Sequence, residues 1–286
     1  MKLKEVLDRT VQFFKDKNID TPRLDTEILL TEALGYKNRV DLYLKFDQPL
    51  SETELNRSRD FVRRRALGEP VAYIIGKKDF YGYTFLVSPA VLIPRPETEI
   101  LVEEALLWLM NSGIENPRVL DLGCGSGCIG FSILKKVPNA SLVSVDKSAE
   151  ALEIAKMNAE QLQVAERVEF ICKDATELEF PGGSFDLILA NPPYIASDDP
   201  QVQLEVKKFE PPMALFSGDN GLYALKSWSA NSLKWMKSKS MMGFEMGWNQ
   251  GAALNETFIG YSAFESVKII KDLAGLDRHI IGVKNG

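Results

Sequence analysis

Apolar residues recur at helical spacing at the start of the chain. Leu3, Val6, Leu7, Val11 and Phe14 share one face of a helix predicted over Lys2–Lys17. Thr21-Pro22 predicts an N-cap followed by Pro at the first helical position, and Gly35 fits the far end of that helix. Ser51 followed by Glu54 is a capping box that opens a helix through SRDFVRRRALG. Residues 1–75 are thus expected to form a small all-helical domain. The next stretch, GKKDFYGYTFLVSP, holds two aromatic-rich, β-prone runs around Gly82, which predicts a β-hairpin connector over residues 76–97. VLIPRPETEILVEEALLWLM then passes through Pro94 and Pro96 into an amphipathic helix. Beyond residue 115 short apolar runs alternate with helical ones. RVLDLG, SLVSVD, VEFICKD and FDLILAN read as strands, with helices at 127–136 and 148–162 between the first three. That alternation predicts an α/β domain over residues 98–286, its mostly parallel sheet flanked by helices. Further on, the pattern predicts a helix near 221–236, a strand at MMGFEMG, and strands at SVKIIKD and RHIIGVK.

Composition narrows the function classes. With 286 residues the chain can bury a sizeable core, and two domains are expected. A net charge of −6 argues against a protein that grips a long nucleic-acid backbone. Three cysteines (Cys124, Cys128, Cys172) are too few for a disulfide framework and point to reduced thiols in a cytoplasm. His279 is the single histidine, so a His-centred triad or a His-rich metal site is effectively excluded, and no metal is expected. The first residues do not read as a signal peptide, and no stretch reaches the ~18–20 apolar residues of a membrane span.

The first strand of the α/β part ends in DLGCGSGCIG. Gly123, Gly125 and Gly127 let the backbone turn tightly and approach a ligand, with a helix N-terminus behind. From Gly125 the same residues spell the dinucleotide fingerprint GxGxxG, and Asp146 ends the second strand where an acidic residue would hold ribose hydroxyls. This stretch alone fits either a nicotinamide dehydrogenase or a nucleoside-type cofactor such as S-adenosylmethionine (SAM). Asp121 favours SAM: a carboxylate ahead of the glycines repels a pyrophosphate but attracts a methionine ammonium. Asp174, at the end of the third strand, either caps a turn or accepts a hydrogen bond from an adenine amino group. Cys124 and Cys128 lack enough companions for a metal site and read as small packing residues.

The fourth strand runs as LILA into Asn191-Pro192-Pro193-Tyr194. Proline cannot donate to a sheet ladder, so the strand must stop with acceptors free of regular pairing. Methyl transfer needs a nucleophile aligned with the sulfonium methyl, and an amide or arylamine nitrogen is a poor nucleophile. Two acceptors on its two N–H bonds orient it and stabilise the positive charge that develops on attack. The Asn191 side-chain oxygen and the Pro192 carbonyl form such a pair; Pro193 helps to stiffen the turn, and Tyr194 can pack on the planar group.

These residues resemble the amino-methylating class I SAM-dependent methyltransferases, and more narrowly the release-factor glutamine methyltransferase family. The resemblance rests on LIPRPETE at 92–99, DLGCGSG at 121–127, NPPYI at 191–195, EPPMALFSGDNGL at 210–222 and KDLAGLDR at 271–278. It implies a class I, Rossmann-like methyltransferase domain behind a helical substrate-recognition domain. It implies methylation of the side-chain amide nitrogen (N5) of the glutamine in the GGQ motif of class 1 peptide chain release factors, with S-adenosylhomocysteine as product. By the same resemblance Asn191 and Pro192 hold that amide beside Tyr194. Gly123, Cys124, Gly125, Ser126, Gly127, Asp121, Asp146, Asp174, Ala175 and Asn191 surround SAM, and Arg95 and Glu97 organise the active-site wall. A cytoplasmic monomer that requires no nucleic acid and no membrane is implied. Glu245-Met246-Gly247 departs from the family's usual Glu-His-Gly, and KWMKSKSMM lacks its usual glycine pair. The nearest rival is an amino methyltransferase acting on adenine or cytosine, for which Arg63-Arg64-Arg65, Lys77 and Lys78 could supply charge. A non-catalytic binding protein is the rival from another class.

Overall fold

The computed structural model describes residues 1–200 and 202–284; residues 201, 285 and 286 of the expected α/β domain lie outside the described residues. The chain divides into two compact units, Met1–Lys77 with Leu204–Phe209, and Lys78–Gln203 with Glu210–Gly286.

The first unit is helical, with helices at Leu3–Asp16, Pro22–Ala33, Val40–Leu44, Glu52–Ala66, Val71–Ile75 and Leu204–Phe209. Leu3, Val6, Leu7, Leu30, Leu42 and Leu50 make one apolar cluster, and Phe14, Leu29 and Ile74 make another. The Ser51 capping box forms as predicted, with the Glu54 N–H donating to Ser51 Oγ and the Ser51 N–H donating to Glu54, an arrangement worth about 1 kcal/mol. Thr21 differs from expectation. It stands at the N-cap position, but its hydroxyl donates to Asp25 Oδ1 at 2.7 Å instead of accepting from the helix. Asp25 in turn takes Arg65 Nε at 2.7 Å, and Arg65 also reaches Glu205 of the Leu204–Phe209 helix at 3.3 Å. That late helix therefore joins the first unit through a partly buried ion cluster that no local pattern announces.

A hairpin of β1 (Lys77–Phe80) and β2 (Tyr83–Leu86) follows at the start of the second unit, and its turn residues Tyr81 and Gly82 both have positive φ. Its sheet contains β3 (Arg118–Leu122), β4 (Ser141–Asp146), β5 (Val168–Cys172), β6 (Phe185–Ala190), β7 (Met236–Glu245), β8 (Ser266–Lys271) and β9 (Asp277–Lys284). The order is β5-β4-β3-β6-β7-β9-β8, with β5 to β7 parallel and β9 antiparallel to both its neighbours. This is the mostly parallel, helix-flanked sheet that the sequence predicts. β6 is buried on both faces, as a central parallel strand must be. Val119, Leu187, Leu189 and Met241 pack with the helices Thr98–Ser112 and Cys128–Lys136 on one side. Leu120, Leu122, Ile188, Ala190 and Phe244 face the other core.

β7 starts five residues before the predicted MMGFEMG run. Lys237 and Lys239 make its first half look like a loop or a helix end. Lys237 Nζ donates to Asp186 at 2.6 Å, and Lys239 Nζ donates to the Ser112 carbonyl, so distant partners satisfy both ammonium groups within a strand. Met246 is fully buried in the second core, where a thioether needs no hydrogen-bond partner.

Candidate active site

The sheet register assembles the site. Leu122 of β3 pairs with Ala190 of β6, which pairs with Phe244 of β7. The next residues, Gly123, Asn191 and Glu245, therefore emerge side by side at the carboxyl ends of parallel strands, where ligands of such sheets bind. A cleft opens there, lined by the glycine loop on one side and by Asn191 and Pro193 on the other.

The glycine loop forms one wall. Gly123, Gly125 and Gly127 all have positive φ. The Cys124 N–H donates to the Val145 carbonyl at 2.9 Å, and the Gly125 N–H donates to Asp146 Oδ2 at 2.9 Å. Asp146 Oδ1 accepts from the Ser148 N–H at 2.9 Å, so one carboxylate ties the loop to the next helix start while lining the cleft. Burial raises the Asp146 pKa, against the pull of those N–H donors. Gly123, Cys124, Gly125, Ser126, Cys128, Ala175 and Asn191 line the same cleft, as do Lys147, Ser148, Lys173 and Trp228. Burial holds the Cys124 thiol up and pushes Cys128 to about 12, which keeps both thiols in the neutral form.

Three predicted cofactor residues do not line the cleft: Gly127, which stands with positive φ at the N-cap of the helix Cys128–Lys136, Asp121 and Asp174. Asp121 is fully buried beneath the glycine loop; its Oδ2 accepts from the Gly130 N–H at 3.0 Å, and its Oδ1 has no hydrogen-bond partner among the described residues. Burial pushes its pKa to about 7, with the Gly130 N–H opposing and the charge of Asp146 assisting. Asp174 caps the short helix Ala175–Glu177, accepting from the Thr176 N–H at 2.9 Å and the Thr176 hydroxyl at 2.7 Å. Burial works to raise its pKa, but the Thr176 donors and Lys147 outweigh that and leave it below the ordinary value. Its flanking residues, Lys173 and Ala175, are the ones that reach the cleft.

The Asn-Pro-Pro-Tyr turn forms the facing wall. Asn191 and Pro193 line the cleft, and Pro192 is buried behind them. Asn191 Nδ2 donates to Thr98 Oγ1 at 3.3 Å. The Tyr194 ring packs against the second core, and its hydroxyl donates to Glu245 Oε1 at 3.1 Å. Burial, then the Glu245 charge, holds that phenol well above its ordinary pKa, so it remains a donor. Segment 210–222 braces the turn. The Ile195 N–H donates to the Leu215 carbonyl at 3.0 Å and the Ser217 N–H to the Ile195 carbonyl at 2.9 Å. Gln250 Nε2 donates to the Tyr194 carbonyl at 2.9 Å.

Arg95 lines the cleft, and its guanidinium donates to the buried Glu210, whose other oxygen accepts from the Ile93 N–H at 3.1 Å. Glu97 does not reach the site. It is exposed at the start of the helix Thr98–Ser112, and Thr98 is the residue that this helix turns inward onto the cleft. Thr98, Glu245, Glu210 and Trp228 escaped sequence reasoning, although Thr98 lies inside the PRPETE run. Asn158 escaped it too: this buried amide donates to the Ser126 and Leu86 carbonyls, tying glycine loop to hairpin.

Two family models match the chain: PrmC N-terminal domain over residues 5–76 and Methyltransferase domain over residues 115–245. The release factor glutamine methyltransferase of Chlorobaculum tepidum is 40% identical over 281 residues, covering 96% of this chain and 94% of that protein. That of Nitratidesulfovibrio vulgaris is 39% identical over 285 residues, covering 99% and 95%. This chain belongs to the release factor glutamine methyltransferase family. Among solved structures, the catalytic domain of hMettl16 in complex with MAT2A 3′UTR hairpin 6 has a TM-score of 0.56 at 16% identity, over 79% of this chain and 82% of that one. At that identity the likeness concerns the fold alone. Within the family's methyltransferase domain, the residues that the cleft presents suit SAM. Asp146 stands at the end of β4 with lone pairs left for ribose hydroxyls, and Asp121 keeps an unpartnered oxygen under the loop, which a ligand ammonium would satisfy directly or through water.

Proposed function

We propose that this enzyme transfers a methyl group from SAM to the side-chain amide nitrogen (N5) of the glutamine in the GGQ motif of class 1 peptide chain release factors, leaving S-adenosylhomocysteine. The observation that carries the reading is the placement of Asn191, the residue just after β6, in one cleft with the glycine loop and Asp146. SAM supplies an electrophilic methyl on sulfur. Asn191 Oδ1 and the Pro192 carbonyl accept the two amide N–H bonds and turn the nitrogen lone pair toward that methyl. As the N–C bond forms, positive charge grows on nitrogen, and the two fixed acceptors stabilise it. The extra proton on nitrogen is then acidic enough to leave to water, so the step needs no histidine base. Arg95, held by Glu210, lines the entry and suits a peptide carbonyl. Gly123–Gly127, Asp121, Asp146, Ala175 and the Asp174 turn hold SAM in this reading, and no metal takes part.

The relatives' names support the release-factor substrate. Free Cys124, Cys128 and Cys172 suit a cytoplasmic enzyme, and among the described residues no helix is long and apolar enough to cross a membrane. We place the enzyme there as a monomer. The basic run offers little to the nucleic-acid reading: Arg63 pairs with Asp60, Arg64 with Glu69 and Arg65 with Asp25. Methyl transfer from labelled SAM to a purified release factor, beside its GGQ Gln→Ala version and bulk RNA, tests the assignment. Label is expected in the unaltered factor alone; equal labelling of both factors, or labelling of RNA only, overturns it.

A further inference from the structure

We infer that Thr98 and Glu245 set the polarity of the Asn191 amide, acting as positioning residues that make its oxygen, and not its NH₂ group, face the substrate. The inference rests on the role proposed above for Asn191.

A carboxamide has two ends of nearly equal size and opposite hydrogen-bonding character. Only the oxygen end can accept a substrate N–H, so the clamp works only if something rejects the flipped amide. The Asn191 backbone cannot do so, because both rotamers fit the same space. Thr98 can. Its hydroxyl has one proton, and that proton is donated to Glu245 Oε2. The Glu245 oxygen is the acceptor in that bond, so Thr98 Oγ1 has only lone pairs left to offer Asn191. The NH₂ group therefore turns toward Thr98, as observed with Nδ2 at 3.3 Å. A flipped amide would set oxygen against oxygen there and aim two donors at the substrate's own N–H bonds.

The elements are arranged to make this relay rigid. Register places Glu245 beside Asn191 at the strand ends. Gly243, two residues earlier on the same face of β7, lets the helix Thr98–Ser112 press close. A Cβ at 243 would lie 2.8 Å from Leu101 Cδ1, and Leu101 is three residues beyond Thr98. Glu245 is almost wholly buried, and its second oxygen accepts from the Tyr194 hydroxyl at 3.1 Å. One carboxylate thus anchors both ends of Asn-Pro-Pro-Tyr, Tyr194 directly and Asn191 through Thr98. His279, fully buried on the neighbouring β9, stands opposite Glu245 with Nε2 3.6 Å from Oε2.

A plain structural role, fastening helix to sheet, makes different predictions. Thr98→Val keeps shape and removes the hydroxyl; Thr98→Ser keeps the hydroxyl. The relay predicts that Thr98→Val lowers kcat by ~10- to 100-fold with SAM affinity within about twofold, and that Thr98→Ser restores kcat to within about threefold. The decisive readout is a double-mutant cycle with Asn191→Ala. Once the amide is gone its polarity is irrelevant, so Thr98→Val should cost nothing further in that background. Equal fold losses in both backgrounds, or a Thr98→Val enzyme within twofold of wild type, would overturn the relay. The cycle is run with whichever acceptor the wild-type enzyme labels. Absence of label in a release factor thus counts against the proposed substrate, and additivity counts against the relay.

Discussion

A buried carboxylate with an oxygen left unpartnered weakens a fold unless a ligand answers it, and Asp121 is such a group. Its pKa, pushed to about 7 by burial, lies above the ~4 of an unfolded aspartate. Between those values the folded chain binds the proton that the unfolded chain has released, so this group makes stability fall as pH rises from ~4 to about 7 and level off above. Urea unfolding at pH 5 and pH 8 should therefore show Asp121→Asn gaining on wild type at the higher pH. Saturating SAM should reverse the order at pH 8, because a ligand ammonium favours the ionised side chain. A variant that tracks wild type at both pH values, with and without SAM, would remove Asp121 from this role. At this scale the sequence exposed the residues whose type is unusual for their place: prolines stopping a strand, glycines in a run, an acid before them. It hid Thr98, Glu245 and Asn158, because a lone threonine, glutamate or asparagine has no local signature. Their importance comes from partners 147, 51 and 72 residues away.

The turn after β6 depends on a second element for its shape. Gly221 has a φ of +87°, and a Cβ there would stand 2.2 Å from the Tyr194 carbonyl oxygen. Gly221→Ala combines left-handed backbone strain with overpacking, and should destabilise the protein by about 2–4 kcal/mol. It should also lower kcat, because the displaced atom belongs to the Asn-Pro-Pro-Tyr turn. Thermal unfolding and methyl transfer on one preparation check both, and an unchanged Tm with unchanged kcat would show that segment 210–222 does not shape the turn. Elements with their own periodicity were legible: the parallel strands, the hairpin, and the helices at Leu3–Asp16 and Glu52–Ala66. The elements that escaped were made by tertiary contacts. The early half of β7 carries lysines that only Asp186 and the Ser112 carbonyl explain, and the Leu204–Phe209 helix is too short to show a period. The helix Gly251–Gly260 is framed by glycines that read as a loop.

For the molecule as a whole, the alternating pattern was enough to predict a mostly parallel sheet with ligands at its carboxyl edge. It did not supply the strand order, because order is decided by which faces the helices cover. That order is what makes the site. With β6 between β3 and β7, the glycine loop, the proposed amide clamp and the carboxylate Glu245 come from three adjacent strand ends. In the proposed mechanism β6 stops just before Asn191 so that the turn presents acceptors to an amide nitrogen. The most direct test is turnover of the full-length Asn191→Ala enzyme with a release factor, alongside SAM affinity by calorimetry. A fall in kcat of at least ~10²-fold is expected, by analogy with removing one preorganised hydrogen-bonding group, with SAM affinity changed far less. Turnover within about threefold of wild type would contradict the proposed mechanism.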